Sequence, residues 1–275
     1  MTTKYNCLKK KEMKQKEFDN MQTFGEHLDV LRKMLFRIVV LSFTIAFGVF
    51  FFKKEIFEYL LAPCSPDFVT FDFVNKTLDA FGSEDAIYEN QMELIATDLP
   101  SQFLTHMSIS LYLGMLFASP FILYELFRYI SPALYENEKK YSVRIILAAY
   151  SLFIIGLLVS YFLLFPISCR FLASYSVSEH VRTMVTLDSY ISTFVSLTLL
   201  MGLVFQLPVL SFFLAKVNIV DSILMTKYRK HAFVFILLIS AVITPPDVMT
   251  LILVSFPLYI LYELSIAVVK IFHNR

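Results

Sequence analysis

The chain has no tryptophan, only six glycines in 275 residues, and three cysteines. Cys7, Cys64 and Cys169 lie far apart and the first sits in a polar head, so neither a disulfide framework nor a CxxC metal pair organises the fold. Charge is scarce too: Asp, Glu, Lys and Arg make up 17% of the residues, where a soluble domain carries about 25%. Its 24 basic and 23 acidic residues leave a formal charge of +1. The uniformly basic composition that phosphate-backbone binding usually shows is therefore missing, and nucleic acid is not an expected partner.

Chemistry-bearing motifs are also missing. There is no GxxxxGK(S/T) phosphate loop, no HExxH, no GxSxG and no calcium-loop spacing of acids, so an ATP-driven pump or a zinc protease has no support. His27, His106, His180, His231 and His273 never fall at i, i+3 or i+4 from one another. A metal site would have to be assembled from distant segments. We expect no enzyme, cofactor or metal.

What is present is apolar: 57% hydrophobic residues and a mean hydropathy of +0.65. One soluble core cannot hide that surface, so the chain reads as an all-α integral membrane protein. Some 33 residues precede the first apolar run, too long a head for a cleaved signal peptide, and the N-terminus is expected to be retained. Apolar stretches suited to membrane helices run over 34–52, 103–127, 145–166, 190–215, 232–244 and 248–269. The fifth has 13 residues, about 20 Å of helix, and must thin the bilayer, pack beside other helices or be re-entrant.

Lys and Arg number nine in residues 1–37, four in 128–144, four in 216–230 and two after 269, against three in 53–101 and two in 166–190. Alternate segments thus hold 19 against 5. The positive-inside rule then predicts six spans with both termini cytoplasmic. Residues 1–33 form a cytoplasmic basic tail and interfacial helix, and 34–272 the membrane domain. The outer loop 53–101 carries ten acidic residues; it reads as a solvated loop, with a short strand over the alternation from Phe68 to Phe73 as the alternative.

Polar residues in or beside spans are functional candidates because lipid makes them costly. Glu125, Gln206 and Glu263 form that set; Glu125 can also snorkel, Gln206 bridge two helices, and Glu263 pair with a neighbouring span. Before the first span, at about 100° per residue, Phe24, Leu28, Leu31 and Leu35 share one face, while Glu26, Asp29, Val30 and Lys33 lie on the other. The stretch reads as an amphipathic helix at the cytoplasmic interface that then turns into the membrane. Its acidic face is either a solvated anchor or a dock for a basic ligand.

An ordered set of motifs follows. His27-Leu28-Asp29-Val30-Leu31-Arg32-Lys33 leads into span 1, Leu94-Ile95-Ala96-Thr97-Asp98 precedes span 2, and Ser119-Pro120-Phe121-Ile122-Leu123-Tyr124 lies within it. Ser131-Pro132-Ala133-Leu134-Tyr135-Glu136-Asn137-Glu138-Lys139-Lys140, Tyr161-Phe162 with Phe165-Pro166, Phe205-Gln206-Leu207-Pro208 and Thr244-Pro245-Pro246-Asp247 complete it. In this order, over about residues 24–270, the chain resembles TatC, the polytopic core subunit of the twin-arginine protein translocase.

The resemblance implies six helices in a concave, glove-like body in the bacterial inner membrane. It also implies recognition of folded cargo through twin-arginine signal peptides, and export driven by the proton-motive force. The implied partners are TatA-type and TatB-type single-span subunits, other TatC copies and the lipid bilayer. Glu138 matches the family's signal-binding glutamate, Leu134 and Pro132 match its neighbours, and Tyr129 stands where phenylalanine is expected. Desolvated carboxylates suit the task, since they accept bidentate hydrogen bonds from arginine. Two departures stand out. The second signal-binding acid is replaced by Val30, with Asp29 and Glu26 beside it on the charged face. Gln206 replaces a common glutamate.

A six-span secondary transporter of small solutes is the alternative, but it wants inverted repeats and broken helices around a midplane site. No convincing repeat is visible, and six glycines are few for such packing. An intramembrane enzyme lacks a convergent nucleophile or carboxylate pair. The topology has a direct check: a phosphatase fused after Arg275 should be inactive, and activity there would favour a re-entrant hairpin over 232–269.

Overall fold

The computed structural model describes residues 24–65, 68–71, 94–130, 142–174, 184–217, 219–244 and 247–273. The first helix, α1 (Phe24–Val49), is continuous. The chain therefore does not turn near Lys33 as its amphipathic pattern suggested: the interfacial segment and the first apolar run are one rod. Nothing between Glu26 and Val49 is a proline, and the only glycine there is Gly48, so no residue breaks the ladder.

α1 packs along α3 (Ser101–Ile130). Its inward positions are Leu31, Met34, Ile38, Ser42 and Ala46, a helical stripe, while Leu28, Leu35, Phe36, Phe43 and Phe47 point outward. Large apolar side chains gain little by leaving lipid, so at the closest approach the contact passes to the small residues Ser42 and Ala46. Gly114 of α3 sits on that stripe: a Cβ built on it would lie 2.5 Å from Ala46 Cβ and 2.7 Å from the Ser42 carbonyl oxygen. Ser42 and Ala46, and Gly114 and Ala118, are two small-xxx-small pairs facing each other.

A helix runs through each of the other apolar stretches. α4 (Ser142–Val159) passes through a π-helical turn, Ser160–Leu164, into α5 (Phe165–Ser174). α6 (Leu187–Val204) and α7 (Leu207–Lys216) are separated by a break at Phe205-Gln206, where Pro208 cannot donate to Val204. After the short α8 (Ser222–Lys227) come α9 (Arg229–Ile243) and α10 (Val248–His273). Segments 101–129, 145–174, 187–216 and 248–271 are long and apolar enough to cross a membrane, and a fifth span exists if Leu28–Val49 and Lys53–Phe71, bent by 92°, are one. With 15 residues, α9 is about 22 Å long, short of a bilayer core of about 30 Å. Glycines again set the closest approach of α4 to α6: Gly156 lies against Phe205, and Gly202 against Phe153.

The acidic end is capped by α2 (Lys53–Leu61) and the 3-10 turn Ala62–Cys64. Pro63 has no N–H for the Tyr59 carbonyl, which accepts instead from Tyr161 OH (2.6 Å), and the Leu60 carbonyl in the last turn of α2 accepts from Tyr190 OH (2.9 Å). Pro166 likewise leaves the Phe162 carbonyl free, and the Thr70 hydroxyl donates to it. Residues 68–71 are neither strand nor solvated loop. They form a turn, the Phe71 N–H donating to the Phe68 carbonyl at 2.8 Å, and both rings are buried. Spacing of three residues puts both on one side of a turn, where Phe68 stacks on Phe162 at 5.9 Å. The described strands are elsewhere: β1 (Leu94–Ile95) pairs in parallel with β2 (Val185–Thr186).

The glycines separate packing from propensity. Gly114→Val should prevent the α1–α3 contact and lower the thermal unfolding midpoint in detergent by the equivalent of at least about 1–3 kcal/mol. Gly48→Ala, with nothing within 4 Å of its Cβ, should be neutral or stabilising by about 0.5–1 kcal/mol.

Candidate functional site

Asp29 and Val30 are both exposed on the first turns of α1, off the stripe that packs on α3. Glu26 lies one helical turn before Val30 on the same helix; its side chain is outside the described residues. Tyr129 is half-buried near the end of α3. Pro132, Leu134 and Glu138 fall in 131–141, outside the described residues, between the end of α3 and the start of α4.

Glu125 does not snorkel. Its side chain is 6% exposed and sits 3.3 Å from Arg37 Nη1 of α1, with Arg128 Nη1 at 3.7 Å one turn further along α3. A carboxylate removed from water is costly unless paired and hydrogen-bonded. Here two half-exposed arginines supply the charge, and Arg37 the hydrogen bond. The result is an electrostatic clasp between α1 and α3 at the basic end, one turn before the 131–141 connection. Because Arg37 and Arg128 keep contact with solvent, the clasp fixes geometry more than it adds stability.

Gln206 bridges helices: its Nε2 donates to the Ala149 carbonyl of α4 at 3.0 Å. That leaves the side-chain oxygen as the acceptor a further helix would meet. Glu263 of α10 accepts from Arg229 Nη2 at 2.8 Å and from Tyr259 OH at 3.3 Å, which ties the start of α9 to α10. Asp247 caps α10 by accepting from the Thr250 N–H at 2.7 Å, a helix N-cap within the Thr244–Asp247 motif. Glu125, Gln206 and Glu263 thus act in three separate interhelical contacts. Among the described residues, no group of three or more His, Cys, Asp or Glu can hold a metal.

Sequence reasoning passed over Arg170. It is 4% exposed, donates from Nη2 to the Cys64 carbonyl at 2.9 Å, and lies 4.8 Å from the Phe71 ring centroid. Its signal was an isolated arginine four residues after Phe165-Pro166, counted only as loop charge. In the structure it anchors the cap of the acidic end by a charge-assisted hydrogen bond and a cation–π contact.

Comparisons of sequence and structure converge. The Sec-independent protein translocase protein (TatC) family matches residues 26–257. The TatC of Blattabacterium sp. subsp. Periplaneta americana (strain BPLAN) is 34% identical over 251 residues, covering 90% of this chain and 94% of that protein. The TatCy of Bacillus subtilis (strain 168) is 34% identical over 257 residues, covering 93% and 92%. A crystal structure of the twin-arginine translocase receptor TatC superposes with a TM-score of 0.72 at 31% identity, over 91% of this chain and all of that one.

The Gln206 contact is measurable apart from any partner. Gln206→Leu should cost about 0.6–2 kcal/mol in detergent unfolding. Gln206→Glu should be tolerated only when protonated, since a carboxylate would face the Ala149 carbonyl; its stability should therefore fall as pH rises.

Proposed function

Because the chain belongs to the TatC family of Sec-independent protein translocase proteins, we propose that it is the receptor core of a twin-arginine translocase in the bacterial inner membrane. It spans the membrane six times with both termini in the cytoplasm. It binds twin-arginine signal peptides of folded proteins and, with TatA-type and TatB-type partners and further copies of itself, exports them at the expense of the proton-motive force. It is not an enzyme. The observation that carries this reading is the end-to-end likeness to a twin-arginine translocase receptor, which extends over all of that solved chain. Neither the family nor that likeness points to a small-solute transporter.

The recognition chemistry follows from charge and exposure. Glu138, flanked by Pro132 and Leu134 and preceded by Tyr129 at the end of α3, is the principal ligand of the arginine pair. Asp29 and Glu26 supply the second carboxylate that Val30 lacks. Asp29 is exposed and so open to a ligand. The neighbouring acid Glu125 is already held between Arg37 and Arg128, so it does not compete for a guanidinium. Gln206 offers its side-chain oxygen to a single-span partner.

Photo-crosslinking at positions 138 and 29 tests the reading, with an arginine-pair signal peptide and its lysine-pair variant. The arginine peptide should crosslink strongly and the lysine peptide weakly, because lysine keeps the charge but loses the planar fork. Glu138→Ala should lose binding by about 2–5 kcal/mol while still inserting. Asp29→Asn and Glu26→Gln should each be partial, and the double change severe. Wild-type crosslinking in the double variant would leave that face as an anchor only. Gln206→Leu should bind peptide normally but fail to recruit the TatA-type subunit.

A further inference from the structure

At the acidic end of the α1–α3 pair, opposite the Glu125 clasp, lies a cavity of about 630 Å³ lined by Lys53, Thr97, Asp98, Gln102, Phe103 and His106. That is within the range of about 300–1,000 Å³ typical of small-molecule sites. His106 is its buried member, 6% exposed. Its ring stacks on Phe50 at 4.2 Å and meets Phe57 edge-on at 6.0 Å. Nε2 is buried with no hydrogen-bond partner among the described residues. In a neutral imidazole one nitrogen donates and the other accepts; with Nε2 as the acceptor, the ring can take an N–H donor.

The lining divides by chemistry. Lys53 brings a cation and Gln102 an amide donor; Asp98 and His106 Nε2 bring acceptors. A simple anion or a simple cation satisfies only half of this set. A zwitterion carrying a phosphate and a primary ammonium satisfies both, and its ammonium has the N–H donors that a quaternary ammonium lacks. Position selects the source. The cavity opens where α1 ends and α3 begins, and Phe51, Phe52, Leu99 and Phe103 around it are more than half exposed. Polar hollow beside exposed apolar rings is the profile of a membrane interface.

We propose that this cavity binds the headgroup of a phosphatidylethanolamine-type phospholipid, its phosphate at Lys53 and its ammonium between Asp98 and His106. The site is independent of signal-peptide recognition and uses none of its residues. A lipid held there wedges between the N-terminus of α3 and α2 and fixes the angle at which the chain leaves α1.

Native mass spectrometry of the full chain tests this. The protein is released from nanodiscs holding equal amounts of phosphatidylethanolamine, phosphatidylcholine and phosphatidylglycerol with matched acyl chains. Phosphatidylethanolamine should be retained about tenfold over each of the others, the size of one charge-assisted hydrogen bond. Asp98→Asn, at an exposed position that should not disturb folding, should bring its ratio to phosphatidylcholine towards one. His106→Phe, which keeps the stacking ring, should do the same. Lys53→Gln should weaken retention of all three lipids together, since each carries the phosphate. Equal retention of the three lipids by the wild type, or an unchanged ratio in Asp98→Asn, would overturn the proposal. Soluble phosphoethanolamine is the remaining arm. It should not displace the lipid at millimolar concentration, and displacement would reassign the cavity to a soluble zwitterion and overturn the lipid assignment.

Discussion

A backbone carbonyl that loses its amide partner must find another donor where water is scarce, and the acidic end of this protein is organised by that demand. Pro63 strands the carbonyl of Tyr59 and Pro166 that of Phe162, and the Leu60 carbonyl lies in the last turn of α2. Each is answered by a hydroxyl from a different element: Tyr161, Tyr190 and Thr70. α2 is turned over the bundle by the 92° bend between Val49 and Lys53, which contains no proline, and the stranded carbonyls become the points of attachment. Arg170 extends the pattern to the Cys64 carbonyl. These fastenings hold the cap on Phe165, Tyr190 and Phe194, beside the short β1–β2 pair and without a disulfide among the described residues.

The α1–α3 pair is fixed at three levels. Gly114 against Ser42 and Ala46 sets the distance between axes. The Glu125 clasp sets the relative rotation at the basic end. At the other end His106 slides under Phe50. Packing of small residues provides contact in lipid, where burial of large apolar groups provides little. The two polar ends then remove the freedom to slide that a smooth small-residue groove would leave.

Much of this architecture was legible in the sequence, and the limits have a physical cause. An all-helical membrane protein follows from composition, and the helices through 103–127, 145–166 and 190–215 from uninterrupted apolar runs. The family followed from ordered short motifs, each weak alone. The faces were not legible. Leu28 and Leu35 look like packing residues yet face outward, because hydropathy does not distinguish lipid from protein interior. Glu125, Gln206 and Glu263 were recognisable as needing partners, but Arg37, the Ala149 carbonyl and Arg229 come from 88, 57 and 34 residues away. Phe68 and Phe71 were not legible as a buried turn, because acidic surroundings read as a solvated loop and alternation over six residues as a strand, while the same residues fit a turn with aromatic residues three apart.

The carbonyls of the cap have a history as well as a geometry. Tyr59, Cys64 and Leu60 are made 102, 106 and 130 residues before the side chains that complete them. At about 5–20 residues per second, the longest of these intervals, between Leu60 and Tyr190, is of the order of 7–26 s. Throughout that time α2 and its turn have left the ribosome while their fasteners are still unmade. Water or lipid headgroups must hold these carbonyls in the interim, so the cap closes only after the fourth apolar stretch is in place. The order of synthesis thereby keeps the acidic face wet until the start of the fourth apolar stretch has emerged.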